Sequence, residues 1–143
     1  MEKKDGFVVF EDGTKIEESQ FLSMVLDSLP LEIFLKTLDG AYFYVNQTLA
    51  DNDKIPREQI IGKRDQDLYP PQVYPIFTET DKEVAIRGKE ISFTHDNIDE
   101  KILKTYKALF PKDGEMPQGI LGYSLDVSEL VGKIKTLEKE QNK

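Results

Sequence analysis

The chain has 143 residues, 38% hydrophobic and 32% charged, with 27 acidic side chains against 19 basic ones and a net charge of −8. This composition fits one globular domain with a core of its own and argues against nucleic acid as a partner, since binding along phosphate backbones requires positive charge. Cysteine is absent, which excludes thiol nucleophiles, cysteine-bound cofactors, cysteine-ligated zinc and disulfides. No apolar run nears the roughly 20 residues that span a bilayer, and the four apolar residues of "FVVF" fall short of a signal-peptide core. A cytoplasmic protein without a membrane partner is expected.

Residues 1–16 read either as a short hairpin turning at "EDG" or as an ordered tail. From residue 17 the period becomes helical. Phe21, Val25 and Leu29 fall on one stripe with Leu22 and Leu26, and Pro30 ends the segment. "LEIFLKT", the "LDG" turn and "AYFYVN" then predict a two-stranded hairpin. Tyr42–Val45 is apolar without alternation, so it is expected in the middle of a sheet covered on both faces, with Phe43 and Val45 on one side and Tyr42 and Tyr44 on the other.

Asn46 is placed to cap a short helix "QTLAD". "PREQII" opens a second with proline in its first turn and stops at Gly62. Asp65 and Asp67 in "KRDQDLYP" read as loop caps and surface ion pairs rather than as a metal site. A longer helix is predicted over 72–89, with Val73, Phe77, Thr80 and Val84 inward, Glu79, Asp81 and Glu83 in water, and Gly88 at the left-handed C-cap. Three strands follow, "EISFTHD", "KILKTYKALF" and "QGILGYSLDV", separated by the short turns "NIDE" and "PKDGEMP", hence antiparallel neighbours. The final segment places Leu130, Ile134 and Leu137 along one seam, with Asp126 and Glu129 spaced as a capping box. This order predicts an α+β design: a five-stranded antiparallel sheet with short helices on one face and flanking N- and C-terminal helices. The expected parts are 1–16 as an N-terminal segment, 17–29 as a flanking helix, 30–127 as the core and 128–143 as a C-terminal helix.

Three stretches in this order carry a resemblance. "PLEIFLKTLDGAYFYVNQTLAD" is similar to the opening hairpin of PAS domains, with Thr37 in place of the usual first Asp of the turn. "IIGKRDQDLYPPQ" is similar to their G-K-x-D-x-D-L-x-P-P run, and "GILGYSLDVSEL" to their closing strand and the start of the signalling helix. The resemblance spans residues 23–131. It implies a sensory or interaction module, without catalysis in this chain, whose sheet and helices enclose a pocket and whose other face is covered by flanking helices or a second subunit. A homodimer is expected, with Phe21, Val25, Leu29, Leu130, Ile134 and Leu137 as its surfaces, together with a downstream output domain such as a histidine kinase or diguanylate cyclase.

A small-molecule ligand in such a pocket would meet Phe34, Phe43, Leu49, Ile61, Leu68, Phe77, Phe93 and Leu121, with Asn46, Tyr106 and Tyr123 as polar groups. The same residues equally compose a filled core, and the sequence leaves both readings open. Haem-binding members place their iron ligand on the long helix, which here has no histidine; His95 lies beyond it and reads as structural. Covalent flavin and covalently attached chromophores are excluded by the lack of cysteine, while nothing specifies a non-covalent flavin. The cofactor is left unknown, with none covalently bound.

Overall fold

The computed structural model describes residues 1–96, 99–114 and 116–142. The "NIDE" turn at 97–98, the "PKDGEMP" turn at 115 and the expected end of the last helix at 143 lie outside the described residues. The N-terminal segment forms a three-stranded antiparallel meander of β1 (Glu2–Lys4), β2 (Phe7–Val9) and β3 (Lys15–Glu17). Val8 is buried there, and Phe10 meets Phe21 of helix α1 (Glu18–Asp27) with ring centroids 6.4 Å apart.

The main sheet comprises β4 (Glu32–Thr37), β5 (Tyr42–Val45), β6 (Ile91–Asp96), β7 (Ile102–Phe110) and β8 (Gly119–Asp126), in the antiparallel order β5-β4-β8-β7-β6. Helices α2 (Gln47–Asp53), α3 (Arg57–Ile60), α4 (Asp65–Leu68) and α5 (Tyr74–Arg87) occupy the long connection from β5 to β6, and α6 (Ser128–Gln141) follows β8. The predicted α+β sheet is therefore present, and α4 is an element that the breaker-rich sequence around it concealed.

The expectation for Tyr42–Val45 is overturned. β5 is an edge strand, and a register shift between Leu35 and Lys36 pairs Leu35 with Tyr44 but Lys36 with Tyr42. Phe43 is the extra residue of this β-bulge, so alternation breaks: Tyr42 and Val45 are both buried while Phe43 is 67% exposed. The strand is apolar on both sides for a different reason. Its free edge is closed by the chain entering α4, Tyr42 N–H donating to the Lys63 carbonyl and Gly62 N–H to the Tyr42 carbonyl.

Elsewhere strict alternation holds. Glu32, Phe34 and Lys36 of β4, Leu103, Thr105 and Lys107 of β7, and Ile120, Gly122 and Ser124 of β8 turn to the buried side. Gly122 makes this layer possible, because a Cβ there would lie 2.3 Å from Cζ of Phe34. The ring of Phe34 thus crosses β8 at the glycine and lies under the centre of the sheet.

Asn46 ties the hairpin to the helices. Its side-chain oxygen accepts from Leu49 N–H and Ile33 N–H, and its amide donates to the carbonyls of Leu26 and Leu31. Gly88 ends α5 in the left-handed region at φ 68°. The capping box expected at α6 is absent: the N-cap residue is Val127, which has no capping side chain, and Asp126 accepts from Ser128 N–H instead. Among the described residues no helix is long and apolar enough to cross a membrane.

Candidate functional site

Beneath the sheet, between β4, β7, β8 and the helices α2 and α5, lies a cavity of about 50 Å³. At roughly 10–15 Å³ per water, it has room for a few solvent molecules or a small ligand. Phe34, Leu49 and Phe77 line it with Tyr42, Leu103 and Val73. The rest of the lining is polar or charged: Glu32, Lys36, Asp53, Tyr69, His95, Thr105, Lys107 and Ser124.

Two of these charges belong to a closed network. Lys36 and Lys107 are each 1% exposed. Lys36 Nζ donates to Asp65 Oδ2 at 2.6 Å and to Asp81 Oδ2 at 2.8 Å, while Lys107 Nζ donates to Asp81 Oδ1 at 2.5 Å. Lys107 is completed by Thr80 Oγ1 at 2.8 Å and the Phe77 carbonyl at 3.1 Å, and Tyr42 O–H donates to the second oxygen of Asp65 at 2.6 Å. Two cations and two anions therefore cancel. Both ammonium groups are near the Phe34 ring, Lys36 Nζ at 5.4 Å and Lys107 Nζ at 5.8 Å from its centroid. Burial, reinforced by the neighbouring Lys36 charge, brings the pKa of Lys107 down to about 8.

The other end of the cavity is acidic. Burial first, and the Asp53 carboxylate second, push Glu32 up to about 8. Asp53 is itself raised by burial, although it accepts a hydrogen bond from Tyr69 O–H. Between the two ends His95 Nε2 lies 2.8 Å from Thr105 Oγ1, which lies 2.6 Å from Ser124 Oγ. The His95 ring packs against Phe93 and Phe77, and burial lowers its pKa.

Several expected lining residues lie elsewhere. Phe43 is turned outward by the bulge. Tyr106, Leu121 and Tyr123 have the outward parity of β7 and β8, where the two tyrosine rings stack at 5.3 Å and Tyr106 O–H donates to Glu90. Asn46 is buried but committed to backbone partners. Ile61 is exposed, Leu68 packs on the core cluster, and Phe93 stands beside the cavity with Lys107 Nζ 5.6 Å from its ring.

Asp65 and Asp81 were expected in water and are buried instead; only Asp67 acts as a loop cap, accepting from Arg64 N–H. Aromatic character points to the inward side here and hides the buried charges. Strand parity alone places Glu32 and Lys36 with Phe34. Of the expected dimer residues, Phe21 is half-buried against Phe10, while Val25, Leu29, Leu130, Ile134 and Leu137 are exposed.

A family model described as the PAS fold matches residues 26–132. Solved structures agree in fold. The PAS domain of BvgS from Bordetella pertussis has a TM-score of 0.64 at 16% identity, covering 86% of this chain and 98% of that one. The PAS domain of the histidine kinase ThkA has 0.57 at 15%, covering 66% and 99%. VqmA from Vibrio cholerae, solved as a ligand–DNA complex, has 0.65 at 19%, covering 78% of this chain and 51% of that one. No curated protein matches the chain. The chain belongs to the PAS family, whose domains are generally sensory or signalling modules.

Proposed function

We propose that this domain is a non-catalytic sensor that binds a small polar ligand beneath its sheet and relays its occupancy through α6. The observation that carries the reading is the polar cavity together with its connection to the C-terminal helix. Ser124 lines the cavity on β8, and β8 runs directly into α6. That junction is pinned to β7, with Ser128 Oγ accepting from Ile102 N–H and Val127 N–H donating to the Ile102 carbonyl. A ligand that pulls on Thr105 or Ser124 therefore acts on the strands that orient α6, and a helix with two docking states supplies the response.

The output domain lies outside this chain in this reading, and the partner is a second copy. The outer face supports a homodimer: Phe43, Leu121, Tyr123 and Leu125 are exposed there, as are Leu130, Ile134 and Leu137 along α6. The net charge of −8 weighs against nucleic acid as this domain's own partner. Haem and flavin fit poorly, because about 50 Å³ is far below the size of either and His95 Nε2 is already engaged with Thr105.

Native mass spectrometry of the purified chain, set against denaturing mass spectrometry, tests the proposal. A metabolite-sized mass present only in the native spectrum is expected. A chain of bare mass in both, still dimeric, would favour the second reading, an interaction module whose exposed outer face is its purpose.

A further inference from the structure

We infer that the cavity is built for a small protonated amine, whose ammonium group is received by Glu32 and Asp53. This deepens the sensor reading above and rests on it. The cavity's cations and anions are not evenly disposed. Lys36 and Lys107 are spent on Asp65 and Asp81, so an anionic ligand would have to break a closed ion-pair network to bind them. The acidic end has no such closure.

Glu32 is 7% exposed and lines the cavity, yet among the described residues no hydrogen bond or ion pair reaches its carboxyl group. Among the described residues the fully enclosed side-chain polar atom without a partner is Tyr44 Oη, so the Glu32 oxygens open onto the cavity, where a bound donor can meet them. Asp53 lines the same wall, its carboxylate oriented by Tyr69 O–H. The charges facing Glu32 are Asp53 from α2, Asp126 from β8 and Lys101 just before β7; the first two outweigh the third, and its proton is retained up to about pH 8. Lys36, Tyr42, Tyr69, His95 and Lys107, the other titratable groups that line the cavity, bond to partners other than Glu32.

An ammonium group supplies what is missing: a full positive charge and three donors for carboxylate and hydroxyl acceptors. The aromatic rings of Phe34, Tyr42 and Phe77 suit both the alkyl part and the cation. A metal ion is the weaker candidate, since no group of three or more His, Asp or Glu side chains is arranged to hold one among the described residues. The volume restricts the amine to a few heavy atoms.

The test is titration of the isotope-labelled full chain with ethylammonium, ethanol or acetate at matched ionic strength, following backbone amide shifts. Ethylammonium alone should move the amides of Glu32, Asp53 and Ser124. Its apparent affinity should rise about tenfold from pH 6 to pH 7, because binding must displace the Glu32 proton. Glu32→Gln should weaken it at least tenfold at pH 8 and abolish the pH dependence. Asp53→Asn, which keeps a partner for Tyr69, should weaken it while retaining that dependence. Equal response to ethanol, a response to acetate instead, or undiminished binding in both variants would overturn the amine assignment. The co-purification experiment would still decide whether the chamber binds anything.

Discussion

Asp81 holds two lysines at once, and that makes it the most exposed point of the buried network. Asp81→Asn leaves Lys36 and Lys107 facing each other with one carboxylate between them. A loss of about 3–5 kcal/mol is expected, as for other buried pairs deprived of a partner, read from urea denaturation. Replacing all four charged residues with methionine and leucine should recover most of that loss, because desolvation offsets much of what such pairs contribute. A D81N chain as stable as the parent would mean that the charges are hydrated.

Glu32 gives the second prediction at this scale. Its folded pKa, about 8, lies above its ordinary 4.5, so the native state holds the proton more tightly and stability falls as pH rises from about 5 to 8. Lys107 shifts the other way, from 10.5 to about 8, so above pH 8 the unfolded chain binds more protons and stability returns. A minimum near pH 8 is expected, with Glu32 contributing about 1.4 kcal/mol per pH unit to the descending limb and Asp53, also raised by burial, adding to its acid end. Glu32→Gln should flatten that limb; a variant that keeps it would show that another group is responsible. None of this was visible locally, since Lys36 is 29 residues from Asp65 and 45 from Asp81. Only the register of the sheet brings them together.

Elements with a local cause were legible in the sequence. The α2 cap at Asn46, the end of α5 at Gly88 and the antiparallel run of β6 to β8 each follow from residues a few positions apart. The bulge in β5 does not, because an extra residue leaves no compositional mark when its neighbours are all apolar. It turns Phe43 outward, while the position of β5 at the edge follows from the strand order, a long-range pairing that composition does not reveal. Tyr106 and Tyr123 likewise face outward by strand parity although aromatic side chains suit a core, while Lys107 and Ser124 beside them face inward. Asn46 is more than a cap: Asn46→Ala removes four hydrogen bonds joining α1, β4 and α2. Thermal or urea unfolding should show a loss on the order of 3 kcal/mol; a change below about 1 kcal/mol would mean that water replaces the amide.

At the scale of the whole molecule the sheet has two unlike sides, one buried and charged, the other apolar and exposed. The apolar side, the seam of α6 and the exposed stripe of Val25 on α1 and Leu29 just beyond it are the expected dimer surface. Ile134→Glu or Val25→Glu should therefore shift the chain towards monomer in sedimentation velocity, and unchanged association would place the interface elsewhere. The buried side is the central matter, because a signal can enter this domain as chemistry only if the chamber is shielded from bulk water. A carboxyl-¹³C NMR titration of Glu32 in the full chain tests this most directly. A midpoint near 8 is predicted; an ordinary carboxylate midpoint near 4.5 would show the chamber to be freely hydrated and would contradict the account.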